Sequence, residues 1–514
     1  MIGVPGIRGA LPASPFWAIA AAVTLARITL LVFAEADLGP DEAQYWFWSR
    51  EPSFGYFSKP PMVAWAIALS TSVFGDSEWA VRLTAPLFHM GAATFIYLLA
   101  RRAFNEAAAI WSGLGWLFMP GVALSSFVIA TDAPLLFFWS GALYFLYRLY
   151  EQRGEESAKP AAFAALGIMI GFGLLSKYAM IYFVIAAAAG LVMSRNLRVT
   201  LLRRELFATA GGAALLIAPN IAWNASNQFQ TIAHTADIAE WDGSLFHVNS
   251  LIEFWGGQFA VFGVYTGAAF LWLLARPAQL SYGKGEDEFE KILLAFTLTP
   301  LAIVSAQAFI STANANWAAT AYPSAIILVA AWLFRLQNGR TVKAIVAFHA
   351  ALALIFAVAM LDFAMIDRIG ASRAVKEVRG WREQTNAIAS LTARDAPYDA
   401  IAIDGRGLIA EMLYYQRKSG LEIVAMDTNQ LIENHFEAFR PFDSNKHERV
   451  LYLTPLEDPS PIDDRFAKVT PLGPQTVEMG AVMRGFLMFD TSGYRAAGAP
   501  PARPAATAPT AAPQ

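Results

Sequence analysis

Asp41 and Glu42 stand side by side in the segment 38–65, LGPDEAQYWFWSREPSFGYFSKPPMVAW, and Lys59 follows in the same segment. A carboxylate set among rings is partly desolvated, which strengthens it as a general base towards a hydroxyl. Lysine is a compact point charge suited to phosphate. Asp132, in VIATDAPLLFFWS, is a second acid, Lys177, in LLSKYAM, is another lone lysine at a segment edge, and Arg82 adds a cation at the start of an apolar run. An acid to take a proton and cations to hold phosphate are the parts needed to move a group off a phosphate carrier. Each residue also has a plainer reading. Asp41-Glu42 would cap a helix behind Pro40, and Thr131 or Asp132 would open a helix with Pro134 in its first turn. The lysines would reach to lipid headgroups.

These residues need elements to hold them, and the composition names the kind. Of 514 residues, 56% are hydrophobic and 15% charged, against roughly 25% charged for a soluble chain. The chain is read as a polytopic α-helical membrane protein with membrane lipid around it. Net charge is −3, which leaves no footprint for nucleic acid. Cysteine is absent, so disulfides and thiolate metal sites are excluded. Arg8 precedes the first apolar run without a convincing cleavage site, and that run is expected to stay as a helix.

Windows near 16–35, 81–100, 107–128, 132–150, 160–176, 178–194, 206–222, 251–275, 292–310, 318–334 and 344–363 predict about 11 spans. The stretch 60–75 is short, opens on Pro60-Pro61 and closes at Gly75-Asp76. If it does not cross, Arg101, Arg102, Arg148, Arg153, Lys159, Arg195, Arg198, Arg203, Arg204, Arg276, Lys284, Lys291, Arg335, Arg340 and Lys343 face one side, and Arg50, Lys59, Arg82 and Lys177 the other. The positive-inside rule then puts the N-terminus in the cytoplasm and 60–75 along the interface as an amphipathic helix. Asp41, Glu42, Asp132, Lys59 and Lys177 all fall on the outer side. So do the rings and imidazole expected to contact substrate: Tyr45, Tyr56, His234, Trp317 and Tyr322, with Trp241 beside them. A lone histidine is weak evidence for a metal. Asn224-Ala225-Ser226 matches a glycosylation triplet, read as chance.

The membrane part is expected over 1–364. Residues 365–497 change character and read as an outer, periplasmic α/β domain. Strands are predicted at 398–404, 421–427, 449–455 and 485–491, with a helix over 407–420 closed by Gly420. Residues 498–514 are Ala/Pro low complexity, read as a disordered tail.

The segment 40–84, with ATDAPLLFF (130–138), GLLSKYAM (173–180) and NANWAATAYP (314–323), resembles the family 39-like glycosyltransferases of GT-C fold. These include protein O-mannosyltransferases and the bacterial transferases that place aminoarabinose or galacturonic acid on lipid A. The resemblance implies an inverting transferase in the bacterial inner membrane. Its donor is a sugar on a polyprenyl phosphate, and its acceptor lies on the periplasmic side, first of all lipid A or lipopolysaccharide core. It makes Asp41, with Glu42, the acid at the reaction centre, Asp132 the second acid, and Lys59 and Lys177, helped by Arg82, the holders of the donor phosphate. Gln44 stands where the aminoarabinose transferases carry arginine, and Ser58 where an acid precedes their lysine. GYFSKPPMVAW looks more like the bacterial galacturonosyl-type and other family 39 proteins. A divalent metal is possible but not required. The competing readings are a transferase for protein or another envelope glycan, and a transporter or flippase. Against transport, the acids cluster at the outer edge, and Arg27 is the one charge placed mid-span.

Overall fold

The computed structural model describes residues 14–153, 160–237, 246–276, 288–392, 398–429, 431–455, 462 and 465–495. Arg8, Trp241 and the tail 498–514 lie outside the described residues. The chain divides into two compact units, one of residues 1–36 and 45–366, the other of residues 37–44 and 367–514.

The first unit is helical. Each of the apolar windows holds one helix or two consecutive helices, and Met62–Phe74 forms in the doubtful stretch. Six helices among the described residues are long and apolar enough to cross a membrane, and seven if one bent pair counts as a single span. That pair fills the window 251–275, which is bent rather than straight. Val248–Phe262 and Val264–Leu274 meet at 108°. Gly263 makes the corner with φ +92°, and a Cβ there would lie 2.2 Å from His349 Nε2. Likewise 107–128 is two helices, Glu106–Phe118 and Pro120–Ser125, because Pro120 cannot continue the first. Met62–Phe74 buries Val63, Ala64, Ile67 and Ser70, and exposes Leu69, Val73 and Phe74. Its outer face is therefore apolar, the kind of face that an interfacial helix lays into lipid.

Side chains without bulk bring helices together. Pro160–Ser176 packs on Leu206–Ser226 where Gly167 meets the Thr209 backbone, so closely that a Cβ would sit 2.3 Å from the Thr209 carbonyl oxygen. The Thr209 hydroxyl donates to the Phe163 carbonyl at 2.8 Å across the same contact. Small residues and a hydroxyl are how helices associate where no water is expelled. Trp116, Trp139 and Trp332 are fully buried in the core of this unit. Arg27, 5% exposed, donates to the Ser126 hydroxyl and the Leu117 carbonyl, so the mid-span charge is bound within the protein.

The second unit is a mixed sheet with helices. Its strands are β1 (Ala400–Ile403), β2 (Ile423–Ala425), β3 (Arg449–Thr454), β4 (Phe466–Met479) and β5 (Val482–Tyr494), in the order β2-β1-β3-β5-β4. β1 pairs parallel with β2 and β3, with Ile401 opposite Ile423 and Leu451. β5 runs antiparallel to β3 and β4. The predicted strands lie on β1, β2, β3 and β5, but β4 is not legible in the sequence. It carries Pro471 and Pro474, which an edge strand tolerates, and its register shifts between Pro471 and Gly473. The helix after β1 runs Arg406–Tyr415 and stops before Gly420, correcting the expected end. Helix Trp381–Thr392 is tied to the start of this unit, since Asp37 Oδ2 accepts from the Trp381 N–H at 2.8 Å. A carboxylate at a helix N-terminus is a favourable placement.

Candidate active site

Asp41 and Glu42 open helix Pro40–Ser49, and their environments differ. Glu42 is 1% exposed and its Oε2 accepts from the Gly39 N–H at 3.0 Å. It reaches back over the start of its own helix, the capping role foreseen for the pair. Asp41 is not desolvated as expected: its side chain is 60% exposed. Its Oδ1 instead accepts from Arg406 Nη1 at 2.6 Å, and the same nitrogen donates to Gln44 Oε1 at 2.9 Å. Arg406 is the first residue of its helix, directly after Gly405 (φ +116°) at the carboxyl end of β1. β1 lies between β2 and β3, where the strand order reverses, and the carboxyl ends of strands at such a point are where ligands gather. Burial pushes the neighbouring Asp404 carboxyl above the usual carboxylate range, while the Thr454 hydroxyl donates to it at 3.2 Å.

Arg406 was missed in the sequence because it is remote from the acid in the chain. The available signal was a glycine and an arginine directly after a predicted strand. Gln44 marks the spot from the other side. It occupies the place of an arginine in the aminoarabinose pattern, and here a guanidinium reaches it from Arg406.

In the first unit, Asp132 and Lys177 meet. Lys177 Nζ donates to Asp132 Oδ1 at 2.9 Å, with side chains 21% and 14% exposed. Asn316 Nδ2 donates to Asp132 Oδ2 at 3.1 Å. Asp132 opens helix Asp132–Glu151 with Pro134 in its first turn, as expected, although the Thr131 side chain makes no cap bond. Three sequence segments (130–138, 173–180 and 314–323) each give one residue to this cluster. The ion pair uses one of the three ammonium donors of Lys177.

Lys59 is half-buried, and its carbonyl accepts from the Tyr56 N–H at 3.2 Å. Several expected contact residues lie inside the packing instead. Arg82 is 2% exposed and donates to the Ala36 carbonyl at 2.9 Å. Tyr56 is 3% exposed, stacks on Trp48 at 4.7 Å, and donates its hydroxyl to the Trp48 carbonyl. Tyr322, also 3% exposed, stacks on Phe262 and hydrogen-bonds Gln258. Tyr45 is 4% exposed against Trp48. The three rings bury their faces against other rings, and the Arg82 guanidinium is buried with a backbone carbonyl as its partner. Trp317 is half-buried, and His234 is half-buried with its ring 5.5 Å from that of Phe57. Among the described residues no three His, Asp or Glu side chains gather as metal ligands.

A family model for dolichyl-phosphate-mannose-protein mannosyltransferase matches residues 58–223. The lipid A galacturonosyltransferase RgtD of Rhizobium johnstonii is 32% identical over 432 residues, covering 84% of this chain and 89% of that protein. The undecaprenyl phosphate-alpha-4-amino-4-deoxy-L-arabinose arabinosyl transferase 1 of Pseudomonas fluorescens is 32% identical over 27% of each chain. Among solved structures, ArnT from Cupriavidus metallidurans bound to undecaprenyl phosphate superposes with a TM-score of 0.61 at 16% identity, covering 92% of this chain and 97% of that one, which is a likeness of fold. With a relative of this identity along most of its length, the chain belongs to the GT-C membrane glycosyltransferase family that includes the lipid A galacturonosyltransferase.

Proposed function

We propose that the protein transfers a sugar, first of all a hexuronic acid such as galacturonate, from a polyprenyl phosphate to lipid A or lipopolysaccharide core, with inversion. The observation that carries this reading is the relationship to a lipid A galacturonosyltransferase over 84% of the chain. In the reaction, an acceptor hydroxyl oxygen bonds to the anomeric carbon on the face opposite the phosphate. The bond from that carbon to the phosphate oxygen breaks, and its electron pair leaves with the phosphate. The hydroxyl proton goes to a carboxylate, the role given to Asp41. Glu42 holds the turn that carries Asp41. Lys59 and Lys177 neutralise the charge that grows on the leaving phosphate, and Asp132 sets the position of Lys177. Orientation and charge stabilisation supply most of the acceleration. Arg82, Tyr56 and Tyr322 are given no substrate contact, because they are buried and hydrogen-bonded within the protein.

The membrane arrangement belongs to the same proposal. About 11 crossings, N-terminus in the cytoplasm and the α/β unit in the periplasm, satisfy the positive-inside rule. A protein acceptor is the second reading, favoured by the mannosyltransferase family model over 58–223. The test is reconstitution of the purified protein with undecaprenyl-phosphate galacturonate and lipid A. The expected product carries galacturonate in the inverted configuration, and Asp41→Asn and Asp132→Asn each lower kcat by about 100-fold or more. Retention of configuration, or full activity in Asp41→Asn, would contradict the assignment.

A further inference from the structure

A cavity opens beside helix Leu206–Ser226 in the first unit. Its mouth is apolar: Ile221, Phe229 and Ile232 are about half exposed around it, with Ile217. Its floor is polar, formed by Tyr178, Asn220 and Asn224. Both asparagines are 1% exposed. The Tyr178 hydroxyl donates to Asn220 Oδ1 at 2.8 Å, and Asn220 Nδ2 donates to the Phe54 carbonyl. Asn224 Nδ2 donates to the Asn220 carbonyl at 3.0 Å and to the Tyr178 oxygen at 3.2 Å. A carbonyl can only accept, so the Asn224 amide cannot be turned over without losing that bond. Its Oδ1 is left buried with no donor among the described residues. A buried acceptor of this kind costs free energy until a donor arrives. The burial also leaves Asn224 unsuited to glycosylation, in keeping with the chance reading of its triplet.

The surroundings hold this site in place. Gln228 and Phe229 both have φ +56°, a left-handed conformation uncommon for such side chains, and the Phe229 N–H donates to the Asn224 carbonyl at 2.7 Å. The Phe229 side chain is thereby set at the mouth. Tyr178 follows Lys177 of the ion pair in the chain. Thr231 donates to the Tyr56 carbonyl at 2.7 Å, so the cavity wall is fastened to the segment that carries Lys59.

We propose that this cavity takes an acyl chain of the acceptor lipid, and that an amide N–H or hydroxyl at the head of that chain donates to Asn224 Oδ1. The chemistry selects the occupant. The ionised oxygens of a phosphate accept and are repelled by the Oδ1 dipole. A polyprenyl chain carries no donor, and an ester-linked phospholipid chain has none where it joins its head. An acylated amino sugar offers an amide N–H at that junction. The inference rests on the reading of lipid A or core as acceptor.

Binding to the purified full-length protein in nanodiscs, measured by native mass spectrometry, tests it with two probes, hexa-acylated lipid A and undecaprenyl phosphate. Ile221→Trp fills the mouth from an exposed position, and Asn224→Leu removes the acceptor at similar size. Each is expected to weaken lipid A binding about tenfold while undecaprenyl phosphate binding is unchanged. Unchanged lipid A binding in Ile221→Trp overturns the inference and leaves the proposed function standing. Loss of undecaprenyl phosphate binding instead assigns the cavity to the donor chain and also overturns it. A wild-type protein that binds undecaprenyl phosphate but no lipid A overturns the acceptor reading itself, and this inference with it.

Discussion

Arg406 turns Asp41 from a loop acid into an oriented one. The two side chains are 43% and 60% exposed, so the pair contributes at most about 1 kcal/mol to stability. Its consequence falls on geometry, because one guanidinium nitrogen fixes both Asp41 and Gln44. Arg406→Ala is therefore expected to lower kcat about tenfold with the melting temperature unchanged. Arg406→Lys restores part of the rate, since an ammonium lacks the planar fork. Equal kcat in wild type and Arg406→Ala, or a large fall in melting temperature, would contradict this role. Of the candidate site, the types and segments of Asp132 and Lys177 were legible, because a charge between apolar runs must find a partner. Their pairing with each other was not, since nothing local in the sequence records which helices meet. The burial of Arg82, Tyr56 and Tyr322 was likewise hidden, because a ring or guanidinium at a segment edge looks the same whether it turns inward or out.

At the scale of elements, apolar length located the helices well, and the corrections come at glycine and proline. The break at Gly263 is invisible to hydropathy, because both arms are apolar. It is visible in the backbone, where φ +92° and the 2.2 Å approach to His349 Nε2 leave no room for a side chain. Gly263→Ala is expected to destabilise the protein by about 2 kcal/mol, read as a lower midpoint in detergent melts. His349→Ala in the same chain recovers part of the loss by opening space, but not the backbone strain. A Gly263→Ala protein that melts like wild type would show that the corner relaxes freely. In the α/β unit the parallel strands were readable as short apolar runs, whereas β4 was masked by the two prolines that its edge position tolerates.

For the whole molecule, composition alone indicated a membrane protein, and charge asymmetry supplies its proposed orientation. The chain has no cysteine, so single cysteines report without background. Pro52→Cys and Lys418→Cys, both at exposed positions, are expected to react with an impermeant maleimide on intact spheroplasts. Arg195→Cys, also exposed, should react only after the membrane is opened. The reverse pattern would invert the orientation and move Asp41 and Lys177 away from any periplasmic acceptor.

The central claim is that this membrane enzyme puts a sugar on lipid A or core through Asp41 and Asp132. Mass spectrometry of lipid A and core from a deletion strain, complemented with wild type, Asp41→Asn or Asp132→Asn, tests it most directly. Deletion is expected to remove one sugar mass, a hexuronic acid, and wild type alone to restore it. An unchanged lipid A and core profile on deletion, or full restoration by either carboxamide variant, would contradict it.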